Sequence, residues 1–366
     1  MSQIDNHYMQ RALSLAEVGR YTAKPNPVVG AVLVRDGHII AEGFHEQAGQ
    51  DHAEIMALKK TDAEGATLYV TLEPCSHMGR TAPCCDAVIA AGVTRVVYGM
   101  VDPNPQVSGS GLARMVEAGI TVDGPVMEAE CAALNLGFIK RMRHGLPYVR
   151  CKMGMSLDGR TAMASGESKW ITGPEARDDV QKWRSASGAV MTGIETVLKD
   201  DPGLDARLQM VRVEQPIRVI VDSCLRITPD AKTLHLPGKV VLATAVTSLQ
   251  LLADQKSLLD NDNVAIVSCA NAEGRVDLAQ LLRLLASDYQ CNDVLLESGA
   301  ELAGAMLDAG LVDEVITYIA PKLLGSEARP LFNLRGMTSL SEHVSLAMVD
   351  VAMLGKDCRM RTLVKK

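Results

Sequence analysis

The run TLEPCSHMGRTAPCCDAVI, residues 71–89, decides the reading of the first half of this 366-residue chain. A β-rich run, ATLYVTL at 66–72, ends there, and Pro74 presents Cys75 just past the strand. Cys84 follows after eight intervening residues and opens a helical pattern at 84–91. Upstream, HAEIMALKK at 52–60 is another helical pattern, and it opens on His52-Ala53-Glu54. One imidazole and two thiolates, His52, Cys75 and Cys84, make a three-ligand zinc set whose fourth tetrahedral position is free for water. Helix starts favour a nearby thiolate or carboxylate. Zinc brings the pKa of bound water from 15.7 to about 7, so hydroxide is available near neutrality. Glu54 sits two residues after His52, in the first helical turn, and faces the same pocket without being a ligand. A carboxyl placed there takes the water proton and hands it on to a ring nitrogen and a leaving amine.

The bland reading of the same residues is a closed structural zinc site with Cys85 or His77 as the fourth ligand. Cys85 adjoins Cys84 on a helix and points elsewhere, which disfavours it. Cys131, Cys151, Cys224, Cys269, Cys291 and Cys358 have no ligand spacing and read as core residues.

Working outward, residues 5–18 have helical spacing with Met9, Leu13 and Ala16 on one face. TAKPNP at 22–27 is a turn cluster. VVGAVLV at 28–34 and HIIAEG from 38 read as a hairpin through Arg35-Asp36-Gly37. TRVVYGM at 94–100 is a further strand. Residues 127–143 read as one long helix that ends in cations and is capped by Gly145. Leu146-Pro147 then breaks the pattern. Beyond it, β-rich runs at 148–156, 188–193, 217–222, 239–244, 263–268, 293–297 and 314–320 are interleaved with helical patterns at 174–187, 277–287 and 300–309. Residues 344–363 alternate like an antiparallel pair. The class is α/β, with two domains meeting at 145–147 and a mixed sheet in the second.

Composition excludes several classes. Hydrophobic residues are 47% and charged residues 22%, as in ordinary globular proteins. The net charge is −7 and neither half is basic, so no field favours nucleic acid or an anionic membrane. No apolar run approaches a bilayer span. Nine cysteines, an odd number, without a secretory signal point to a reducing, cytoplasmic setting. A homo-oligomer built on the 127–143 helix or the final strands is compatible with the sequence, and so is packing of those faces inside one subunit.

His-x-Glu with a later Pro-Cys and second Cys is the pattern of zinc nucleobase deaminases, although the usual gap is Pro-Cys-x-x-Cys. With its longer gap, the run TLEPCSHMGRTAPCC resembles the deaminase half of the bifunctional riboflavin-biosynthesis deaminase–reductase family, as do KPNPVVGAVLV, HAEIMAL and DPNPQVSGSGL. The resemblance implies a cytidine-deaminase-like α/β/α domain over 1–145. It would act on a pyrimidine bearing a phosphoribosylamino group, with His52, Cys75 and Cys84 on one zinc ion and Glu54 as proton shuttle. Asn26, in the PNP turn, matches a position expected to contact substrate.

KMGMSLDGRTA at 152–162, SGESKWITG at 165–173, TGIETVLKDDPGLDAR at 192–207 and LESGAELAGAML at 296–307 resemble the reductase half. The resemblance implies a dihydrofolate-reductase-like α/β domain over 146–366 that uses NADPH to open the ribose to a ribityl chain. Cofactor positions map onto Gly154, Trp170, Thr196, Asp200, Ser223 and the loop Gly299, Ala300, Glu301, Leu302, Ala303, Gly304 and Ala305. Substrate positions map onto Ser168, Arg184, Asp200, Leu204, Arg207 and Glu297. Chemically, Arg184 and Arg207 suit a phosphate clamp. Lys152 and Asp200 are assigned to the proton or developing charge near the ribose, and Asp158 with Arg160 to a local turn pair. Asp205 stands where the family usually has Thr or Asn. A polynucleotide base editor would need a basic face that is lacking. A zinc-stabilised binding module would need no Glu54.

Overall fold

A computed structural model of the chain describes residues 2–77, 82–105, 107–208, 214–246, 258 and 261–365. The chain divides into two compact units, Met1–Leu146 and Pro147–Lys366.

In the first unit, α1 (Gln3–Val18) buries Met9, Leu13 and Ala16, the face its spacing predicts. β1 (Gly30–Arg35) and β2 (His38–Phe44) form the expected hairpin. Its turn residues Asp36 and Gly37 have φ of 51° and 78°, the backbone that matches strand twist in a tight hairpin. α2 (Ala53–Leu58), β3 (Thr67–Val70), α3 (Cys84–Ala90) and β4 (Arg95–Tyr98) follow where the pattern places them. α4 (Ser110–Glu117) and β5 (Thr121–Asp123) complete the sheet, whose order is β2-β1-β3-β4-β5. β1 is antiparallel to β2 and β3, whereas β3, β4 and β5 are parallel. A parallel pair needs a crossover, and α3 lies within the one between β3 and β4. Cys75 therefore leaves the carboxyl end of β3, and Cys84 starts the returning helix. The helices lie close on the sheet. A Cβ at Gly30 would meet the Ala12 carbonyl at 2.0 Å, and one at Gly43 the Ala53 carbonyl at 2.2 Å.

The single helix expected over 127–143 is instead two, α5 (Glu128–Leu134) and α6 (Leu136–His144). Asn135 breaks it, with φ −124° and ψ 28°. Its side chain accepts from the Val28 N–H and donates to the Val28 carbonyl, both at 2.9 Å, so the segment leading into β1 is satisfied by a residue that a continuous helix would turn elsewhere. Gly145 caps α6 in the left-handed conformation, as expected.

Asp5 ties α1 to the sheet. It is buried and accepts from the Arg95 guanidinium at 2.8 and 3.3 Å and from the Tyr69 hydroxyl at 3.0 Å. Hydrogen bonds from Arg95 hold its carboxyl far below the usual range. A depressed folded-state pKa gives stability that is fully present above the unfolded pKa of about 3.9 and is lost as pH falls toward the folded value. Asp5→Asn should therefore cost about 2 kcal/mol near neutral pH. The deficit should shrink below about pH 4, read by urea titration of the full chain. Identical midpoints near neutrality would refute this.

In the second unit, β6 (Tyr148–Ser156), β7 (Arg160–Ala162), α7 (Pro174–Ala186), β8 (Ala189–Gly193), α8 (Ile194–Asp200), β9 (Ile217–Val221), β10 (Val240–Thr244), β11 (Val264–Ser268), β12 (Asp293–Leu296) and β13 (Glu314–Ala320) follow in chain order. Further helices span Leu278–Ser287 and Ala300–Asp308. β14 (Arg329–Pro330) pairs with β7, and β15 (Leu346–Leu354) and β16 (Asp357–Val364) form the predicted antiparallel pair. The main sheet has the order β11-β10-β9-β8-β12-β6-β13-β16-β15. It is parallel from β11 to β13 and antiparallel beyond, which makes it mixed as expected. β7 and α8 are too short to carry a periodic pattern in the sequence. In open parallel sheets ligands bind outside the carboxyl ends of the strands. The segments at 192–207 and 297–305 follow β8 and β12, which are neighbours there.

Candidate active site

The first cluster forms where α2 and α3 begin. His52 is the N-cap of α2, Glu54 lies in its first turn, and Cys84 is the first residue of α3. His52 Nδ1 lies 3.2 Å from Cys84 Sγ and 3.6 Å from Cys75 Sγ. One ligand atom from each of the three falls within 4.8 Å of the others, and among the described residues this is the one such His/Cys/Asp/Glu group. Tetrahedral zinc with the usual Zn–N and Zn–S bonds sets its donors roughly 3.5–3.8 Å apart. The 3.6 Å pair meets that spacing and the 3.2 Å pair falls slightly inside it, so the three residues accept that ion with small side-chain shifts.

Charge supports the fit. Hydrogen bonds from Cys84 and then from His52 lower the Cys75 thiol to about 4, and the Cys84 backbone N–H adds another at 3.4 Å. Its hydrogen bond to Cys75, together with burial, pushes the Cys84 thiol upward. Burial raises the Glu54 carboxyl to about 7. Two thiols and a carboxyl crowd one imidazole, and a divalent cation is what lets both sulfurs be anionic. Cys85 does not supply a fourth ligand, since its thiol points at Asp86. His77 is exposed and outside the cluster. Residues 78–81, part of the loop between the two cysteines, lie outside the described residues.

Two supporting residues carried no signal in the sequence. His45 is buried, and its Nδ1 lies 3.0 Å from the Asp51 carbonyl. A carbonyl only accepts, so Nδ1 carries the proton and Nε2 accepts from Asn26 Nδ2 at 3.0 Å. That bond turns the Asn26 amide so that its carbonyl oxygen is left for another donor. Glu73, just before Pro74-Cys75, is buried and accepts the backbone N–H groups of Asp102, Gly109 and Gly111 at 3.1, 2.8 and 3.0 Å. It fastens the DPNPQVSGSGL segment beside Cys75. A Cβ at Gly111 would meet the Pro74 carbonyl at 2.1 Å, so only glycine allows this approach.

The second cluster gathers past the ends of β8 and β12. Arg184, on α7, forks onto Glu297 at 2.6 and 3.1 Å and donates its remaining Nη1 to the Asp205 carbonyl at 3.2 Å. Lys152 Nζ lies 3.8 Å from the same Glu297 carboxylate. Burial alone would raise Glu297, but Arg184 and Lys152 outweigh it and hold the carboxyl below its ordinary value. Asp200 faces Lys169 at 3.6 Å, and Arg207, largely exposed, reaches Asp205 at 3.7 Å. Lys152 and Asp200 thus each have a different charged partner. The guanidinium of Arg184 is already engaged by protein oxygens, whereas Arg207 has freedom to meet a phosphate.

Several expectations change here. Residues 300–305 are not a loop but the first turns of the helix Ala300–Asp308, with Gly299 as N-cap. Gly299 has open space around it, and Ala300, Glu301, Leu302 and Ala305 are at least partly exposed. Ala303 and Gly304 are buried, and a Cβ at Gly304 would strike the Asn333 carbonyl at 2.2 Å. Leu204 is 2% exposed and packs with Val190 and Leu295, so its side chain is core. Asp158 is not paired with Arg160. It accepts from Ser156 and from the backbone of Leu324 and Gly325. Trp170 is 64% exposed with Arg177 stacked 4.6 Å from its ring centre, so its ring is not core. Gly154 lies on β6, Ser168 and Thr196 are half-buried, and Ser223 follows β9.

Residues 2–100 match the family of the cytidine and deoxycytidylate deaminase zinc-binding region, and residues 147–359 match the RibD C-terminal domain. The chain is 48% identical over 367 residues to the riboflavin biosynthesis protein RibD of Escherichia coli strain K12, covering 96% of this chain and 97% of that protein. It is 44% identical to that of Haemophilus influenzae, covering 98% and 97%. Among solved structures, Acinetobacter baumannii RibD superposes with a TM-score of 0.92 at 45% identity, covering 100% and 99%. A diaminohydroxyphosphoribosylaminopyrimidine deaminase/5-amino-6-(5-phosphoribosylamino)uracil reductase from Thermotoga maritima superposes at 0.87 with 33% identity, covering 99% of both chains.

Proposed function

We propose a division of labour between the two clusters on the premise that this chain belongs to the RibD family, whose members join a zinc-dependent deaminase to an NADPH-dependent reductase in riboflavin biosynthesis. The fold is a cytidine-deaminase-like unit followed by a dihydrofolate-reductase-like one. The reactions are deamination of 2,5-diamino-6-(5-phosphoribosylamino)pyrimidin-4(3H)-one to 5-amino-6-(5-phosphoribosylamino)uracil, then reduction of its ribosyl group to ribityl. We assign the first to residues 1–145 and the second to 146–366.

His52, Cys75 and Cys84 would hold the zinc, and the ion would supply Lewis acidity that makes water an available nucleophile near neutral pH. Glu54 accepts the proton of the attacking water and passes it to the ring nitrogen beside C2, then takes the second proton from the hydroxyl added at C2 and delivers it to the amine as the C–N bond breaks. Its burial, at 3% exposure, keeps solvent from taking over that transfer. Asn26, oriented by His45, presents its carbonyl oxygen to a ring N–H or amino group.

In the second site NADPH supplies the hydride. Gly154, Trp170, Thr196, Ser223 and the exposed part of 299–305 would hold NADPH, and we assign Asp200 to both cofactor and substrate. Glu297, pinned by Arg184 and Lys152, and Ser168 orient the ribose, with the Leu204 backbone beside them. Arg207 meets the phosphate, and Arg184 acts through Glu297. Lys152, 3.8 Å from that carboxylate, steadies developing negative charge as the sugar ring opens, and Asp200 moves the proton.

The observation that carries this reading is the convergence of one imidazole and two thiols beside a buried carboxyl. No helix among the described residues is long and apolar enough to cross a membrane. We place the enzyme in the cytoplasm, a reading supported by nine free cysteines. The test is mass spectrometry on the diaminopyrimidine nucleotide. Without NADPH the expected result is the uracil plus ammonia. With NADPH it is the ribityl product, with cofactor oxidised one for one. Folded, zinc-loaded protein that releases no ammonia would refute the reading.

A further inference from the structure

Arg218 carries a buried charge that neither reaction uses. It is the second residue of β9, flanked by Val190 of β8 and Val240 of β10, and it is 1% exposed. Its Nη2 donates to the Leu236 and Gly238 carbonyls at 2.8 and 2.7 Å, just before β10 begins. Its Nε and Nη1 are buried and have no hydrogen bond among the described residues. A cation taken out of water needs a nearby anion or a full set of acceptors. Burial pulls this guanidinium below its ordinary pKa, and the charge that works against that pull is the Asp205 carboxylate.

The two side chains meet around Leu236. A Cβ at Gly203 would stand 2.6 Å from Asp205 Oδ1 and 2.9 Å from the Leu236 side chain, and the Leu236 carbonyl is one that Arg218 holds. Gln215 clasps both backbone groups of Ala206, at 3.0 and 2.9 Å. A Cβ at Gly238 would meet Gln215 Cβ at 3.0 Å and Arg218 Nη2 at 3.9 Å. The segment 203–206 thus rests on the residues around Arg218. Asp205 Oδ1 is buried there without a hydrogen bond among the described residues. Arg207 Nη1 lies 3.7 Å from the same oxygen, and the Arg207 side chain is 59% exposed.

Asp205 is therefore shared between a buried arginine and an exposed one. Lys152, Arg184, Arg207 and Arg218 face two carboxylates, Glu297 and Asp205, which leaves a surplus of two positive charges. A phosphate monoester carries about −1.5 to −2 near neutral pH, so the surplus matches it. Without Arg218, Asp205 would balance Arg207 instead, and the surplus would fall to one.

We propose that Arg218 is a positioning residue for the reduction: its buried charge holds the Asp205 carboxylate at the base of the 203–207 segment and leaves Arg207 to the substrate phosphate. The proposal rests on the assignment of Arg207 to that phosphate. Arg218 is too buried to meet the substrate itself, so its effect falls on phosphate binding and not on hydride transfer.

The test is NADPH oxidation by the zinc-loaded full chain, with the phosphoribosylaminouracil substrate and with its phosphate-free riboside. Arg218→Met keeps the bulk and removes the charge. It should raise KM for the phosphorylated substrate about tenfold or more, with kcat near wild type and with kcat/KM for the riboside unchanged. Combining Arg218→Met with Asp205→Asn restores the surplus of two and should recover most of the lost affinity. A packing role for Arg218 would not be reversed by a change at Asp205, so the double-mutant cycle separates the two roles. Should Arg218→Met alone not fold, the double variant decides, because no charge is left buried alone. Wild-type KM in Arg218→Met, or a double variant that stays unfolded or binds no better than Arg218→Met, would overturn the proposal and leave the Arg207 assignment standing. Equal kcat/KM for the two substrates in the wild type would remove that assignment and the proposal with it.

Discussion

Glu54→Gln should lower ammonia release by about 10²–10⁴-fold while zinc content and NADPH oxidation on supplied uracil substrate stay at wild-type levels. Glutamine matches the shape of glutamate but cannot carry a proton between water, ring and amine. The buried position makes the loss severe, because Glu54 is 3% exposed and little bulk water can replace it. The three metal-binding atoms are untouched, so the ion stays and any loss is chemical. Burial raises the carboxyl to about 7, and a bound cation favours the carboxylate and brings it lower. Deamination in the wild type should therefore fall on the acid side of a value under about 7, as the base becomes protonated. Metal analysis with an ammonia assay checks this. An unchanged ammonia rate in the Gln variant would mean that another group moves the proton.

Cys84→Ser or Cys75→Ser should have the second large effect, with zinc and deamination lost together. Zinc affinity here depends on two thiolates, and a hydroxyl does not ionise in their place. Without the ion, the pKa of the attacking water returns from about 7 toward 15.7, so the rate loss should be at least as large as that for Glu54→Gln. Both cysteines belong to the unit Met1–Leu146, whereas Lys152, Arg184 and Glu297 belong to Pro147–Lys366. Reduction of supplied uracil substrate should therefore survive, which separates loss of metal from loss of the whole protein. Removing zinc from the wild type with a chelator should reproduce the pattern, and adding zinc should reverse it. Deamination that persists in metal-free protein would contradict the account.

The strands and the first site were largely legible in the sequence because their signals are local. β6 spans Tyr148–Ser156, the range of the β-rich run there. His52, Glu54, Cys75 and Cys84 each stand at the start of a helix or the end of a strand, and such positions can be read from a single chain. What escaped depends on partners distant in sequence. Arg184 and Glu297 are 113 positions apart, and nothing in either neighbourhood announces that the guanidinium is satisfied by protein. Asn135 looked like an interior helix residue because its competing partners, the two backbone groups of Val28, are 107 positions away. Glu73 works through backbone atoms, which leave no trace in residue type, and His45 through the Asp51 carbonyl and the Asn26 side chain 19 positions away. Leu204 matched a family pattern by position, but the pattern does not say whether side chain or backbone faces the ligand.

Zinc K-edge absorption on the purified wild-type protein tests the central claim most directly. The account predicts one zinc per chain, bound by two sulfurs, one imidazole nitrogen and one exchangeable oxygen, with the oxygen replaced when a pyrimidine analogue binds. A shell of three or more sulfurs, or one with no exchangeable oxygen, would describe a closed structural site and contradict it.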